Sequence, residues 1–189
     1  MNNTISKALR YWHTLRYLRP VQIIRRLQYL LRRPNVDDSP ISCGLRAIPS
    51  QWILPARCGK KMLAKQSFCF LNQTHEVETN SDWNNCHWAK LWLYNLHYFD
   101  DLTAIDNEQR VVWHRTLIDR WIDENPPGKG NGWEPYPSSL RIVNWIKWFL
   151  LNDTTNQIWQ DSLATQTRFL SQNLEYHLLG NHLFANAKA

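Results

Sequence analysis

The stretch PSSLRIVNWIKWFLL, residues 137–151, decides the fold class of this chain. It predicts an α-helix with Pro137 in the first turn, where a missing N–H group costs no hydrogen bond. The helix is apolar on almost every side, which is typical of a helix surrounded by other elements. Only one polar row interrupts it, made of Ser138, Arg141 and Asn144. The stretch therefore predicts an inner-layer helix in a mainly helical protein.

Helical patterns flank this stretch on both sides. Residues 87–105 are rich in aromatics, and residues 106–125 repeat apolar side chains at helical spacing. Residues 153–180 run from an Asp/Thr cap to Gly180 in the C′ position. Antiparallel helix pairs joined by short turns are typical of an α/α layered array. The predicted fold class is mainly all-α: a partial α/α toroid of antiparallel helix pairs, with a short N-terminal β or loop segment.

The chain is predicted to have three parts. Residues 1–36 form a basic amphipathic helical arm, residues 37–82 a loop-rich segment with a short strand or hairpin, and residues 83–189 the incomplete toroid. The hairpin prediction depends on SFCFLNQTHEV, residues 67–77, where apolar and polar side chains alternate. Proline and glycine punctuate most of the loop-rich segment.

The arm holds all of the excess positive charge. The chain has 22 Lys and Arg against 16 Asp and Glu, and the first 36 residues contain eight of these bases and no acid. Two short helices, 4–18 and 21–33, are separated by Pro20, and the second has an apolar stripe opposite its arginines. Two interpretations are open. The stripe packs on the main body with the charges in solvent, or the arm meets an anionic membrane surface or another partner. Nucleic acid is not expected, because no recognition motif accompanies the charge.

Cysteine spacing and hydropathy exclude several classes of protein. The four cysteines, Cys43, Cys58, Cys69 and Cys86, form no C-x-x-C pair and no zinc spacing, so we expect no metal and no cofactor. The first residues lack the uninterrupted apolar core of a signal peptide. No stretch approaches the ~18 uncharged apolar residues of a membrane span. We expect a protein in the cytoplasm or peripheral to the inner membrane.

The loop before the central helix, residues 126–136, contains Trp133, Glu134 and Tyr136. Its GKGNG run lacks the spacing of a phosphate-binding loop. One interpretation is a turned and capped helix start. The other is the floor of a groove in which Arg141 faces an anion.

Two further groups of polar residues are candidates for a site. In LWLYNLHYFD, residues 91–100, Tyr94 and His97 have polar tips that need partners if they are buried, although aromatics at helical spacing more often belong to a core. Asn181 and His182 follow a glycine at the predicted start of the last helix. Backbone N–H groups and the dipole favour negative charge there, so the pair is a candidate for holding a substrate carboxylate.

Three ordered motifs carry a resemblance to a known family. LWLYNLHYFDDL (91–102), NPPGKGNGWEPYPSSLRIVNWIKWFL (125–150) and LEYHLLGNHLFANAKA (174–189) resemble the N-terminal helical region of bacterial heparinase II/III-like proteins, relatives of heparin-sulfate and alginate lyases. The resemblance covers residues 67–189, and the basic arm more loosely. It implies an incomplete α/α toroid followed by a β-sandwich, with an acidic polysaccharide held between them and cleaved by β-elimination.

The resemblance implies roles for individual residues. Asn181 and His182 match the family's catalytic pair: the amide would neutralise the uronate carboxylate, and the imidazole would bind it or act as base. The other predicted site residues would bind substrate in the same groove; they are Arg141, Tyr136, Trp133, Glu134, Asn144, Tyr94 and His97.

This chain departs from the family pattern in two ways. Ala185 stands where some relatives carry an acid, and the catalytic tyrosine and second histidine of full-length relatives lie beyond residue 189. We therefore expect the N-terminal portion of a lyase on uronate-containing glycans, inactive by itself, whose partners are an acidic polysaccharide and the C-terminal part of its own fold. The alternatives are a non-catalytic anionic-glycan-binding module and a peripheral membrane- or partner-binding helical domain. A glycoside hydrolase would need a second carboxylate to act with Glu134.

Overall fold

The computed structural model describes residues 2–31, 34–42, 56–152 and 155–189. Within them the chain is mostly helical, as predicted. Short 3-10 helices lie at Asn80–Asn84, Asp100–Thr103, Asn107–Arg110 and Asn131–Trp133. The helices and strands are α1 (Asn2–Leu15), α2 (Pro20–Leu31), β1 (Ser67–Phe70), β2 (Gln73–Glu76), α3 (Lys90–Tyr98), α4 (Val111–Glu124), α5 (Pro135–Asn152), α6 (Gln157–Gln172) and α7 (Gly180–Lys188).

Helix α5 is the centre of the fold. It packs against α3, α6 and α7, and the side chains of Ile142, Trp145 and Trp148 are completely enclosed. Pro137 lies in its first turn. The prediction of a helix at 137–151 is therefore confirmed, and one face of it is fully enclosed, whereas Ile146 is 38% exposed.

Tryptophan side chains build much of the core around α5. Trp121 from α4 packs edge-on against Trp145, with ring centroids 5.6 Å apart, and its ring is tilted against that of Trp133 at 5.7 Å. Phe99 meets Trp145 edge-on at 5.5 Å. Edge-to-face aromatic pairs add roughly 0.5–1.5 kcal/mol each beyond the area that they bury. The high tryptophan content of the sequence is thus mainly a core feature.

Strands β1 and β2 form an antiparallel hairpin in which Ser67 pairs with Glu76 and Phe70 with Gln73. The two turn residues, Leu71 and Asn72, have φ angles of 54° and 60°. Two left-handed residues in a two-residue connection are typical of a type I′ turn, whose twist suits a hairpin. A short strand or hairpin was predicted within 67–77, and the structure has the hairpin.

The long helix predicted over residues 153–180 is wrong over residues 173–180. α6 ends at Gln172, because the Asn173 amide donates to the carbonyl of Phe169 and its N–H donates to Leu170. Gly180 is the first residue of α7 rather than a C′ residue. A side chain that competes for helical carbonyls ends the helix before the glycine does.

The helix predicted over residues 87–105 is also shorter than expected. α3 ends at Tyr98, and the next residue, Phe99, is left-handed with φ 60°. The carboxylate of Asp101 then accepts the backbone N–H groups of Lys61 and Met62 at 2.6 and 2.9 Å. These hydrogen bonds to a distant segment stabilise a turn after Phe99, although the helical spacing of apolar residues in the sequence continues beyond that point.

Some predictions fall outside the described residues. They concern the loop around Cys43, the Asp/Thr cap at 153–154 and the last two residues of the helix predicted at 21–33. The cap of α6 that the structure does describe is Asn156, whose side chain accepts the N–H of Trp159 at 2.9 Å.

The arm contacts the body through the polar face of α2. The Tyr29 ring lies 4.5 Å from the His177 ring, and the Arg25 guanidinium lies over Tyr176. No residue of α2 is buried, which does not support the interpretation in which its apolar stripe packs on the body. None of the helices that the structure describes combines the length and apolar character needed to cross a membrane.

Candidate functional site

The turn between α6 and α7 positions the pair Asn181 and His182. Leu179 has φ 59° and ψ −160°, a region that glycine normally occupies, and Gly180 follows with φ 56°. A non-glycine residue in that region costs on the order of 1–3 kcal/mol, and such strain persists only where surrounding contacts impose it. The chain therefore enters α7 in a conformation that its neighbours must stabilise.

Asn186, a buried residue of α7, supplies those contacts. Its Oδ1 accepts the backbone N–H of Glu175 at 2.7 Å, and its Nδ2 donates to Oγ of Ser139 at 2.8 Å. The Ser139 hydroxyl in turn donates to the carbonyl of Pro135 at 2.8 Å. This chain of hydrogen bonds ties the turn to α7 and both to the first turns of α5.

Glu175 and His182 meet within this turn. His182 Nδ1 lies 3.1 Å from Glu175 Oε2, with 32% of the histidine side chain exposed and 8% of the glutamate. Burial raises the pKa of the Glu175 carboxyl, although its hydrogen bond with His182 acts in the opposite direction. In the neutral imidazole, the Nδ1–H group can donate a hydrogen bond to Glu175. Nε2 then carries the free lone pair. Nε2 has no hydrogen-bond partner within the described ranges.

Tyr136 lies beside the imidazole. It is in the first turn of α5, and its half-exposed ring lies 4.4 Å from the His182 ring. The ring of Tyr98 packs edge-on against Tyr136 at 5.9 Å. A phenol and an imidazole are thus in contact at the surface.

Tyr94 and Glu134 form a second polar group with Lys90. The Tyr94 hydroxyl donates to the Glu134 carboxylate, and Lys90 Nζ lies 2.8 Å from Oε1 of the same carboxylate. Burial and the hydrogen bond to Glu134 raise the pKa of Tyr94. The lysine offsets the charge of Glu134, so the group adds little net charge to its surroundings.

The two polar groups belong to one surface. Burial is the main cause of the raised pKa of Tyr29, and the charges of Glu175 and Glu134 raise it further. The same two carboxylates also raise the pKa of Tyr94. Next to them is a pocket of about 240 Å³ lined by Tyr29, Glu134 and Trp133 among others. The arm, the loop before α5 and the α6–α7 turn therefore meet at this surface.

His97 lies in the core and not at this surface. It is fully buried; its Nε2 pairs with the carbonyl of Trp83 at 3.0 Å, and Nδ1 accepts the indole N–H of Trp121 at 3.0 Å. Burial, followed by the charge of Arg141, lowers the pKa of His97 to about 3. His97 is a neutral structural histidine, so the prediction that it binds substrate is not supported by its position.

Arg141 is also enclosed. The side chain has no exposed area, Nε donates to Gln166 Oε1 at 2.8 Å, and NH1 donates to the carbonyl of Gly132 at 2.7 Å. The guanidinium lies 3.8 Å from the Trp121 ring centroid, and burial lowers its pKa. The polar row of α5 therefore faces polar partners inside the protein. The prediction that Arg141 faces an anion in a groove is corrected.

Trp133 and Asn144 are buried as well. Trp133 is 4% exposed, and its indole N–H donates to the carbonyl of Asn125 at 3.1 Å. Asn144 is 7% exposed, and its amide donates to the Tyr98 carbonyl and to Asp100 Oδ1, both at 2.9 Å. Both side chains support the loop and α3, and neither presents a polar group to solvent.

The surface thus gathers half-exposed His182, Tyr136, Tyr94 and Glu134, with Asn181 exposed next to His182. Sequence reasoning missed Glu175, because the segment around it was interpreted as helix interior and its distance of seven residues from His182 follows no local pattern. The family resemblance includes Glu175 in its third motif but assigned no role to it.

The arrangement offers an imidazole backed by a carboxylate, a phenol beside it and an exposed amide. Such groups can bind a carboxylate and move a proton. Among the described residues, no three His, Cys, Asp or Glu side chains are grouped as a metal site requires. No protein-family model, no curated protein and no solved structure matches this chain.

Proposed function

We propose that this protein contributes to a β-elimination site for uronate-containing acidic glycans, in a lyase similar to the heparinase II/III-like proteins. The observation that carries the proposal is the His182–Glu175 hydrogen bond at 3.1 Å, with the Tyr136 ring 4.4 Å from the imidazole. In the same proposal, helices α3 to α7 are part of an α/α toroid with α5 in its inner layer.

His182 is the base in this proposal. β-Elimination begins when the proton on C5 of the uronate leaves as its carboxylate charge is neutralised. That proton would pass to Nε2 of His182. Glu175 acts through the imidazole: its hydrogen bond to Nδ1 holds the ring in place, and its charge stabilises the imidazolium that forms.

Asn181 is the carboxylate-binding group. Its exposed amide lies in the first turn of α7, where N–H groups and the helix dipole also favour an anion. The local charge is compatible with an acidic sugar because Lys90 offsets Glu134 and the nearly enclosed Glu175 is paired with His182.

Tyr136 is the group that would serve the leaving oxygen. As the C4–O bond breaks and a double bond forms between C4 and C5, the leaving glycosidic oxygen needs a proton. The phenol of Tyr136 is a donor in contact with the base, so both proton transfers would occur on one side of the sugar ring.

The test of the proposal is binding of oligouronates, measured by titration calorimetry. We expect saturable binding that Asn181→Ala or His182→Ala weakens roughly tenfold or more, the loss expected when a charge-assisted hydrogen bond of about 1.5–3 kcal/mol is removed. Phe184→Ala, at a residue of α7 that is 73% exposed, is the matched control and should bind normally. Absence of heat with every uronate polymer would refute the proposal.

A glycoside hydrolase is the second candidate, favoured by one observation. Glu134 lies close enough to Glu175 to contribute to its raised pKa, so two carboxyl groups share this surface. A hydrolase uses two carboxyl groups, one as acid and one as base or nucleophile. Lys90 and Tyr94 already hold Glu134, which favours the lyase. The products distinguish them, because only elimination leaves an ultraviolet-absorbing unsaturated uronate.

A further inference from the structure

The orientation of α2 is the reverse of that of an ordinary surface helix. The helix turns its polar face to the body: Gln22 and Tyr29 are half-buried, and Arg25 lies over Tyr176. Residues at these spacings share one face of a helix. The Tyr29 ring on His177 and the Arg25 guanidinium on Tyr176 are the contacts that hold it there.

The opposite face of α2 is an apolar stripe in solvent. Leu27 is 56% exposed, Leu30 is 65% exposed and Leu31 is 84% exposed. Ile23 and Ile24, one turn earlier, are 40% and 55% exposed. Leaving this many large aliphatic side chains in water is costly, since each contributes about 1.5–3 kcal/mol when it is buried. Continuous apolar surface of this kind marks an interaction site.

Helix α1 also exposes large apolar side chains. Leu9, Tyr11, Trp12 and Leu15 are each at least half exposed. Lys7 and Arg10 line one surface pocket together with Tyr11. Trp and Tyr side chains beside lysines and arginines are typical of helices at the interface between lipid headgroups and acyl chains.

The charge of the arm selects the kind of surface that it meets. The first 36 residues carry eight basic side chains and no acidic one. A second copy of the arm would bring like charges together, and a nucleic acid would leave the aliphatic stripe in water. An anionic bilayer satisfies both properties at once, because its headgroups pair with the bases and its acyl region takes the stripe.

We propose that the arm formed by α1 and α2 docks on an anionic lipid surface. The apolar stripe of α2 inserts below the headgroups, and the neighbouring Arg19 and Arg26 contact lipid phosphates. Tyr29 contacts the body on the other side of α2, so docking holds the surface around His182 near the membrane. This inference does not depend on the proposed function, since it uses only the arm.

Vesicle co-sedimentation of the full chain tests the proposal. We expect binding to vesicles of phosphatidylglycerol and phosphatidylcholine and none to phosphatidylcholine alone. The binding should weaken with added salt, because screening shortens the range of the attraction to about 8 Å near physiological ionic strength. Equal binding to both kinds of vesicle would overturn the charge part of the proposal.

Paired variants distinguish binding through the apolar stripe of α2 from non-specific hydrophobic binding. Leu30→Ser should weaken binding roughly tenfold or more, from the lost burial of a leucine. Ile158→Ser is the matched control, because Ile158 is also 65% exposed but lies on α6; it should bind like the unaltered chain. Arg26→Gln should weaken binding about fivefold, the effect of one basic residue near a charged membrane. Arg115→Gln, an exposed arginine of α4, should have no effect.

Two results would overturn the proposal. If the Leu30→Ser variant binds vesicles normally while the Arg26→Gln variant does not, the arm binds polyanions by charge alone and the stripe does not insert. If sedimentation equilibrium without vesicles gives a dimer that Leu30→Ser converts to a monomer, the stripe is occupied by a second copy of this chain. Leu30 is exposed, so circular dichroism should show that its variant folds normally.

Discussion

Across the turn between α6 and α7, His182 Nδ1 lies 3.1 Å from Oε2 of Glu175, whose side chain is 8% exposed. The turn itself contains the strained Leu179 and is tied to α5 through Asn186 and Ser139. The pair is therefore held by long-range contacts rather than by α7 alone. A catalytic base needs this kind of fixed orientation, because proton transfer depends on geometry first and on pKa second.

The buried carboxyl of Glu175 should make stability depend on pH. Its pKa is raised above the ordinary value of 4.5, mainly by burial. Its stabilising contribution is therefore complete below pH 4.5 and is lost as the pH rises through the raised pKa. Glu175→Gln has no carboxyl group to ionise and so avoids this loss. The melting temperature of the variant minus that of the unaltered chain should therefore increase from acid to neutral pH. Glu76→Gln, at an exposed residue of β2, should show no such trend. A constant difference at every pH would contradict the assignment.

His97 should make the protein sensitive to acid in the opposite sense. Its pKa is lowered from 6.5 to about 3, so the folded state resists a proton that the unfolded state accepts. Stability from this group is complete above pH 6.5 and is lost as the pH falls toward 3, with a slope of up to ~1.4 kcal/mol per pH unit. Urea unfolding at a series of pH values measures the slope.

The control for this prediction uses two histidines. His97→Gln should reduce the slope between pH 6.5 and 4.5, above the range in which most carboxyl groups titrate. His87→Gln, at an exposed histidine before α3, should leave it unchanged. An unaltered slope in His97→Gln would show that other groups take up the proton.

Gly132 should tolerate no side chain. A Cβ atom there would lie 2.6 Å from Nδ1 of His97, the atom that accepts the Trp121 indole N–H. Gly132→Ala should therefore destabilise the protein by about 1–3 kcal/mol, the usual cost of overpacking a core. Gly59→Ala, where no atom lies within 4 Å of the added Cβ, should change the free energy of unfolding little. Equal stability of the two variants would contradict the packing described for His97.

Asp101 should be essential for stability. Its side chain is 5% exposed, and it binds Arg110 Nε at 2.8 Å and His114 Nε2 at 2.9 Å. Asp101→Asn leaves the buried guanidinium without its counter-charge, which should cost about 3–5 kcal/mol. Asp123→Asn, at an exposed position of α4, is the control. A loss below ~1 kcal/mol in denaturant unfolding would mean that the network contributes little net stability.

Much of the fold could be predicted because its signals are local. The apolar side chains of residues 137–151 predicted a largely buried helix, and alternation within residues 67–77 predicted a short strand or hairpin. The structure has a helix and a hairpin at these positions. Helix ends were predicted less well: Asn173 ends α6 before Gly180, and Asp101 ends the helical path after α3 by binding a distant segment.

The candidate site could be predicted only in part. Asn181, His182 and Tyr136 were proposed because they are next to recognisable helix starts, and the structure has them at or near the surface. Arg141 was predicted to face a groove, since helical spacing places it in a polar row with Ser138. Spacing reveals that residues share a face, but it contains no information about what lies opposite that face.

The sequence by itself indicated the mainly helical class, the helix over residues 137–151, a strand or hairpin within 67–77 and the basic amphipathic arm, because each follows from periodicity between neighbours in the chain. The tertiary structure alone decided that Arg141 is enclosed against Trp121, that Glu175 meets His182, and that α2 turns its apolar face to solvent. These are contacts between segments distant along the chain, and their energies depend on which surfaces meet when the helices pack.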